Sequence, residues 1–216
     1  LNENDFSLVL SLDGRKEVND AMRPDVGGHG TYDRIVEHFR RCALSRKGGS
    51  YDYRGVYTYL RGTYTHNNLD FTNDVLSMHD AGFDILSLEP VVLRDSPYAI
   101  AEEDLPRVFA EYDRLVDAYM ERRRAGHGFW FFHFNMDLSN GPCVAKRLSG
   151  CGAGHEYFAV AESGDLYPCH QFVGREGYRL GSLREGVTRP ELSQYFRESH
   201  VLNKEKCRDC WARFFC

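Results

Sequence analysis

The sequence has no long apolar run, no basic stretch and no internal repeat. Its longest apolar segment, 129–134, is interrupted by His133, whereas a membrane-spanning helix needs about 20 consecutive apolar residues. A net charge of −5 without a basic run gives no reason to expect a nucleic acid partner. These absences, with an ordinary hydrophobic content of 42%, predict a globular protein with neither a membrane nor a nucleic acid partner.

Apolar runs alternate with helical patterns over the first 126 residues. Strands are predicted at 6–12, 55–65 and 84–92, and helices from Thr31 onward, over 70–81 and over 102–124. This alternation predicts an α/β fold with a parallel sheet. The alternation ends near Gly126, which places a domain boundary between 1–126 and 127–216. The second part predicts a β-hairpin over 157–169 around the turn 162–165.

Six of the seven cysteines lie at or after residue 143, at spacings that suit metal ligands. Thiolates that bind one soft metal centre must converge, whereas a buried thiol needs no companion at fixed spacing. The candidate ligands are Cys143, Cys151, Cys169, Cys207, Cys210 and Cys216. Cys42 lies on the inward face of a predicted helix and is assigned to the core. Because the last residue is itself a candidate ligand, we expect the natural protein to continue beyond it.

The spacing alone leaves three interpretations of the cysteines open. Zinc fits the C-x2-C pair of Cys207 and Cys210, although the other cysteines show no second close pair. Iron–sulfur clusters accept wider gaps because they collect thiolates from separate loops. The third interpretation is a set of unrelated buried thiols. An odd cysteine count, in a chain long enough to bury a core without disulfides, favours a reducing cytoplasm.

The surroundings of the cysteines resemble a known family. The pattern Cys151-x12-Gly164-x4-Cys169, followed by C-x2-C-x5-C from Cys207, resembles the SPASM domain of radical S-adenosylmethionine (SAM) enzymes. The segment 141–174 (GPCVAKRLSGCGAGHEYFAVAESGDLYPCHQFVG) looks like the maturases of SCIFF peptides, short cysteine-rich peptides that receive thioether cross-links. The stretches SLDGRKEVNDAMRPDVGGHGTYD (from Ser11) and LSLEPVV (from Leu86) fit the same family, so the resemblance covers essentially the whole chain.

The resemblance implies both the fold and the metal groups. The fold would be the C-terminal half of a partial (β/α)6 radical SAM barrel, followed by an incomplete SPASM domain. Two auxiliary [4Fe–4S] clusters are implied: Cys143, Cys151 and Cys169 would ligate the first, and Cys207, Cys210 and Cys216 the second. In the family the fourth ligand of each cluster lies further along. The C-x3-C-x2-C loop of the SAM-cleaving cluster is missing from this sequence, as is a GGE-like motif.

The resemblance also implies a reaction for the full-length protein. A reduced [4Fe–4S] cluster would cleave SAM, and the resulting 5′-deoxyadenosyl radical would take a hydrogen from a precursor peptide. A cysteine thiolate of that peptide would then bond to the carbon radical and form a thioether. An electron donor such as flavodoxin or ferredoxin would be a further partner. This chain alone is expected to be inactive because it lacks the SAM-cleaving loop.

Three residues outside the cysteine set are candidates for the site. Ser11, at a strand end, and Arg23 loosely match SAM-contacting positions of similar enzymes. His170 follows Cys169 where related sulfatase-type maturases carry an aspartate base, which makes His170 a weak catalytic candidate. Glu89, at another strand end, is open to a catalytic role or a turn role, and His133 is expected to be a satisfied strand histidine.

Two alternative functions stay open at this point. The first is a SPASM maturase with another substrate, of the sulfatase type or the quinone-cofactor type. The second, from a different class, is a zinc-binding adaptor without enzymatic activity.

Overall fold

The computed structural model describes residues 2–4, 6–46, 58–135, 141 and 143–215. The chain divides into two compact units, Leu1–Met136 and Asp137–Cys216. No helix of the described residues is long and apolar enough to cross a membrane.

A four-stranded parallel sheet forms the centre of the first unit, in the order β1-β2-β3-β4. Its strands are β1 (Leu8–Ser11), β2 (Thr58–Tyr64), β3 (Ile85–Pro90) and β4 (Trp130–Phe131). Its helices are α1 (Lys16–Met22), α2 (Tyr32–Ser45), α3 (Thr72–Asp80) and α4 (Leu105–Arg124). The α/β fold predicted from the sequence is confirmed. Strand β4 lies beyond the boundary expected near Gly126, so the first unit extends further along the chain.

The hydrophobic core of the first unit lies on one face of the sheet. Leu60, Leu86 and Leu88 of the strands are buried in one cluster with Val75 of α3 and Leu115 of α4. Alternate strand residues point to opposite faces, so the neighbours of these leucines line the other face. That second face carries a row of register partners, Ser11, Arg61 and Ser87, of which the first two are exposed. The sheet therefore has an apolar face covered by helices and a polar face, which we call the open face.

A buried ion pair fixes the chain where it leaves β1. Asp74 of α3 has no exposed surface and accepts hydrogen bonds from the backbone N–H and the Nε–H of Arg15, at 3.0 and 2.9 Å. The Arg15 guanidinium also donates twice to Asp70 at 2.9 Å. Gly14 has a φ of +128°, and a Cβ there would lie 2.4 Å from the Cβ of Asp74. Only glycine allows this close approach.

The second unit contains a small antiparallel sheet of short strands. Its strands are β5 (Ala159–Val160), β6 (Asp165–Tyr167), β7 (Gly181–Ser182) and β8 (Gly186–Val187). Its helices are α5 (Val144–Ser149), α6 (Pro190–Glu198) and α7 (Glu205–Arg208). The β5–β6 pair is the predicted hairpin, closed by Gly164 at a φ of +85°. Phe172 packs against Phe196 of α6 with ring centroids 5.3 Å apart, so α6 is tied to the turn that follows Cys169.

Candidate metal centre

Cys151 and Cys169 lie on adjoining segments of the second unit. The N–H of Gly154 hydrogen-bonds to the carbonyl oxygens of Tyr157 and Pro168, at 3.1 and 3.0 Å, and this joins the loop after Cys151 to the end of β6. Tyr157, in the same loop, neighbours both Cys151 and Cys169. Partial burial and the neighbouring Cys151 and Cys169 raise the pKa of Tyr157. Cys151 and Cys169 therefore both lie near Tyr157.

Cys143 is the third ligand predicted for the first cluster. It is exposed and precedes α5, whose first turn closes with a hydrogen bond from the Arg147 N–H to the Cys143 carbonyl. Helix α5 ends at Gly150, at a φ of +66°, directly before Cys151. Among the residues that the structure describes, no three histidine, cysteine, aspartate or glutamate side chains gather closely enough to hold a metal ion. The three-cysteine group expected for the first cluster is thus not assembled in this geometry, and its ligand roles stay predictions.

Cys207 and Cys210 are presented by a single turn. The Cys210 N–H donates to the Cys207 carbonyl at 3.1 Å, and both side chains are half-buried. A C-x2-C turn of this kind places two thiols on the same side of the backbone. Cys216, the third predicted ligand of this group, lies outside the described residues.

Two arginines accompany the C-terminal cysteines. Arg147 of α5 donates from Nε and Nη2 to the carbonyl oxygens of Phe214 and Phe215, both at 3.2 Å. The Arg213 N–H donates to the Cys210 carbonyl, and the buried Nε of Arg213 has no hydrogen-bond partner among the described residues. A buried N–H donor without a protein partner is of a kind that suits a cluster, whose sulfur atoms accept hydrogen bonds. The soft thiols and this N–H are of the chemical type that iron–sulfur clusters take, while their gathering into a cluster site stays a prediction.

The other predicted site residues lie on separate parts of the fold. Ser11 is the last residue of β1, on the open face. Arg23 donates from Nε and Nη2 to the two carboxylate oxygens of buried Asp13, at 2.7 and 3.0 Å, and Asp13 also accepts the Thr63 N–H. Arg23 is thus held at the carboxyl end of β1. His170 is exposed, in the short turn after Cys169.

Glu89 and His133, which the sequence suggests separately, are joined in one hydrogen-bonded network, with His133 in the turn after β4. Glu89 of β3 accepts hydrogen bonds from Ser87 at 2.7 Å and from His133 Nε2 at 3.0 Å, while His133 Nδ1 pairs with the Tyr112 hydroxyl at 3.0 Å. The hydrogen bond with His133 lowers the pKa of Glu89 to about 2, against the effect of burial. Burial raises the pKa of Tyr112. The available signal was positional, because Glu89 and His133 follow neighbouring parallel strands at the same edge of the sheet.

The second unit matches a known domain family. Residues 151–211 match the SPASM family, described as an iron–sulfur cluster-binding domain. Four of the six predicted ligands lie inside that match: Cys151, Cys169, Cys207 and Cys210. The predicted SPASM domain is confirmed for this region.

Curated relatives extend the similarity to nearly the whole chain. An uncharacterized protein of Archaeoglobus fulgidus is 28% identical over 219 residues, which cover 97% of this chain and 49% of that protein. A cysteine-type anaerobic sulfatase-maturating enzyme of Clostridium novyi is 23% identical, covering 96% of this chain and 55% of that protein. Another such enzyme, from Clostridium perfringens, is 25% identical, and the match covers 99% of this chain and 58% of that protein. The chain spans about half the length of the curated relatives it matches.

Solved structures share the fold. The structure described as native anSMEcpe with bound AdoMet matches with a TM-score of 0.65 at 24% identity, over 99% of this chain and 58% of that one. The same protein with AdoMet and Kp18Cys peptide matches with a TM-score of 0.64 at 21% identity, over 99% and 59%. These matches support the α/β fold. The resemblance to the SPASM domain is supported over 151–211, and the chain is similar to sulfatase-maturating enzymes over nearly its whole length.

Proposed function

We propose that this chain is part of a radical SAM maturase that modifies a cysteine residue of a peptide or protein. The observation that carries the proposal is the SPASM match over the two cysteine pairs, Cys151 with Cys169 and Cys207 with Cys210. The similarity of nearly the whole chain to sulfatase-maturating enzymes supports the same reaction class. The two thiol pairs, and Cys143 and Cys216 with them, would hold auxiliary [4Fe–4S] clusters.

The residues of the chain would bind SAM, orient one another and accept a proton. Bound SAM would supply a carbon-centred radical that removes a hydrogen atom from the substrate. Ser11 and Arg23 would contact SAM, and Asp13 keeps the Arg23 guanidinium in one orientation through two hydrogen bonds. The exposed His170, next to Cys169, is the candidate to accept a proton from the substrate. An electron donor such as flavodoxin or ferredoxin, in a reducing cytoplasm, would complete the system.

Two substrates are candidates, and the relatives favour the first. The sulfatase-type reaction, oxidation of a cysteine to an aldehyde, is supported by the two Clostridium enzymes. Thioether formation in a cysteine-rich precursor peptide is supported by the likeness of 141–174 to SCIFF maturases. It is also supported by His170, which stands where sulfatase-type enzymes carry an aspartate. We give precedence to the sulfatase-type reaction because it rests on similarity along the whole chain.

Mass spectrometry of peptide products tests the proposal. The protein, produced with its complete natural reading frame and purified without oxygen, is incubated with SAM, a reductant and two peptides. One peptide carries a sulfatase-like cysteine, and the other is a short cysteine-rich precursor. We expect 5′-deoxyadenosine together with a product that has lost its sulfur and reacts with a hydrazide. A product that has lost two hydrogens and one alkylatable thiol identifies thioether formation instead. Absence of both 5′-deoxyadenosine and peptide change would refute the proposal.

A further inference from the structure

We propose that Arg147 is a positioning residue that holds the segment 204–215 against α5, and so places Cys207 and Cys210 for cluster binding without ligating the cluster. This role rests on the function proposed above, because it takes the two cysteines as iron–sulfur ligands. It assigns part of the cluster's assembly to a side chain that lies about sixty residues earlier in the sequence.

The contact is made by one guanidinium and two consecutive carbonyl groups. Arg147 Nε donates to the Phe214 oxygen and Nη2 donates to the Phe215 oxygen, both at 3.2 Å. The planar guanidinium presents neighbouring N–H groups in a fixed fork, and this geometry matches two adjacent acceptors. Arg147 is half-buried, so water competes for these hydrogen bonds less than at an exposed site.

The segment has few other long-range ties. The remaining hydrogen bonds that the structure shows for 204–215 join residues within it, such as Cys207 N–H to Lys204 and Arg213 N–H to Cys210. They fold the segment into successive turns but do not attach it to the rest of the unit. Among the described residues, the fork of Arg147 is therefore the hydrogen-bonded link between this segment and the earlier part of the unit.

Arg147 lies between two cysteines of the first group, so its hydrogen bonds also connect that part of the chain to the second group. Helix α5 lies between Cys143 and Cys151, and Arg147 is near its middle. One side chain thus connects the helix that joins the first cysteine group to the segment that carries the second. A cluster gains its affinity from thiolates that are already close together, so loosening the segment lowers the occupancy of the second group first.

The experiment measures iron and acid-labile sulfide in variants of the natural-length protein, purified and reconstituted without oxygen. Arg147→Met removes the fork and keeps the length of the side chain, while Arg147→Lys keeps the charge but offers a single nitrogen. Lys146→Met is the matched control, because Lys146 is exposed on the same helix. The iron lost in Cys151→Ser measures the iron bound by the first cysteine group, and the iron lost in Cys207→Ser measures that bound by the second. Circular dichroism reports whether each variant is folded.

We expect Arg147→Met to lose about as much iron as Cys207→Ser, and Lys146→Met to lose none. Arg147→Met added to Cys207→Ser should cause no further loss, whereas added to Cys151→Ser it should cause a further loss. If Arg147→Met does not fold, Arg147→Lys carries the test, with an intermediate loss that is also not additive with Cys207→Ser.

Two results overturn the inference. One is wild-type iron and sulfide in folded Arg147→Met or, where that variant does not fold, in Arg147→Lys. The other is a loss that adds fully to that of Cys207→Ser, because a general structural role would affect both cysteine groups. A wild-type protein that binds no iron would instead refute the proposed function itself.

Discussion

The substitution Glu89→Gln removes the charge at the centre of the network that joins β3 to the end of β4. The Glu89 carboxylate accepts hydrogen bonds from Ser87 and His133, and its pKa is lowered from 4.5 to about 2. A shift of this size corresponds to about 3 kcal/mol of stabilisation. The Glu89 side chain is 26% exposed, so solvent screening reduces this to about 2 kcal/mol at pH 7.

The sign of the pKa shift gives a second, independent expectation. A carboxylate with a lowered pKa in the folded state stabilises the fold above its unfolded pKa, and this stabilisation is lost as the pH falls toward the folded pKa. For Glu89 the loss runs from about pH 4.5 down to about pH 2, and roughly 1 kcal/mol of it is gone by pH 3.5. The stability difference between wild type and Glu89→Gln should therefore shrink by that amount between pH 7 and pH 3.5.

Equilibrium denaturation followed by tryptophan fluorescence measures both expectations. The chain has two tryptophans, and a Trp211→Phe background leaves Trp130 of β4 as the reporter for the first unit. Glu121→Gln on the exposed face of α4 is the control and should change the free energy of unfolding by less than about 0.5 kcal/mol. The reasoning fails if Glu89→Gln matches that control at pH 7, or if its deficit is unchanged at pH 3.5.

Three further substitutions test the packing of the first unit by the same denaturation assay. Asp74→Asn should cost about 1.5–3 kcal/mol, because it weakens charge-assisted hydrogen bonds of a fully buried carboxylate while Asp70 stays as the charged partner of Arg15; a cost under about 0.5 kcal/mol would contradict this contact. Leu115→Ala should cost about 2–5 kcal/mol, because Leu115 is fully buried. Val116→Ala, at the adjacent 42% exposed position, should lower the free energy of unfolding much less than Leu115→Ala does. Equal losses from the two substitutions would show that Leu115 does not lie in the core. Gly62→Ala should lower the free energy of unfolding by more than about 1 kcal/mol, because its Cβ would lie 2.4 Å from the Leu12 carbonyl oxygen. Wild-type stability of this variant would show that the backbone near Leu12 moves away from β2 at no cost.

The regular part of the first unit could be predicted because its apolar residues repeat at strand or helix spacing. Leu86 and Leu88 alternate along β3, and Leu115 and Tyr119 recur on one face of α4. Helix α1 gave no such signal, because the residue it buries is the polar Asn19. Strand β4 was not predicted as a member of the sheet, because only two of its residues pair with β3 and a short helical turn, Phe132–Phe134, follows directly.

The candidate site divides in the same way. The SPASM match could be predicted because the cysteine spacing is a property of the sequence alone, while the ligand roles of the two cysteine groups stay predictions. The surroundings of the cysteines could not be predicted, because Arg147 binds backbone carbonyls, which every residue carries, and only the folded loop brings Tyr157 near Cys169. Glu89 and His133 are 44 residues apart, and only the register of β3 with β4 brings them together.

The central claim is that the thiols of the second unit hold iron and sulfide, and metal analysis of matched serine variants tests it most directly. Cys169→Ser removes a buried thiol of the SPASM match, and Cys42→Ser removes a thiol of α2 in the other unit. In protein purified without oxygen, we expect iron and sulfide in equal amounts in the wild type, a clear loss of both in Cys169→Ser, and no loss in Cys42→Ser. A colourless wild-type protein that contains only zinc, or a Cys169→Ser variant with the full wild-type iron content, would contradict the account.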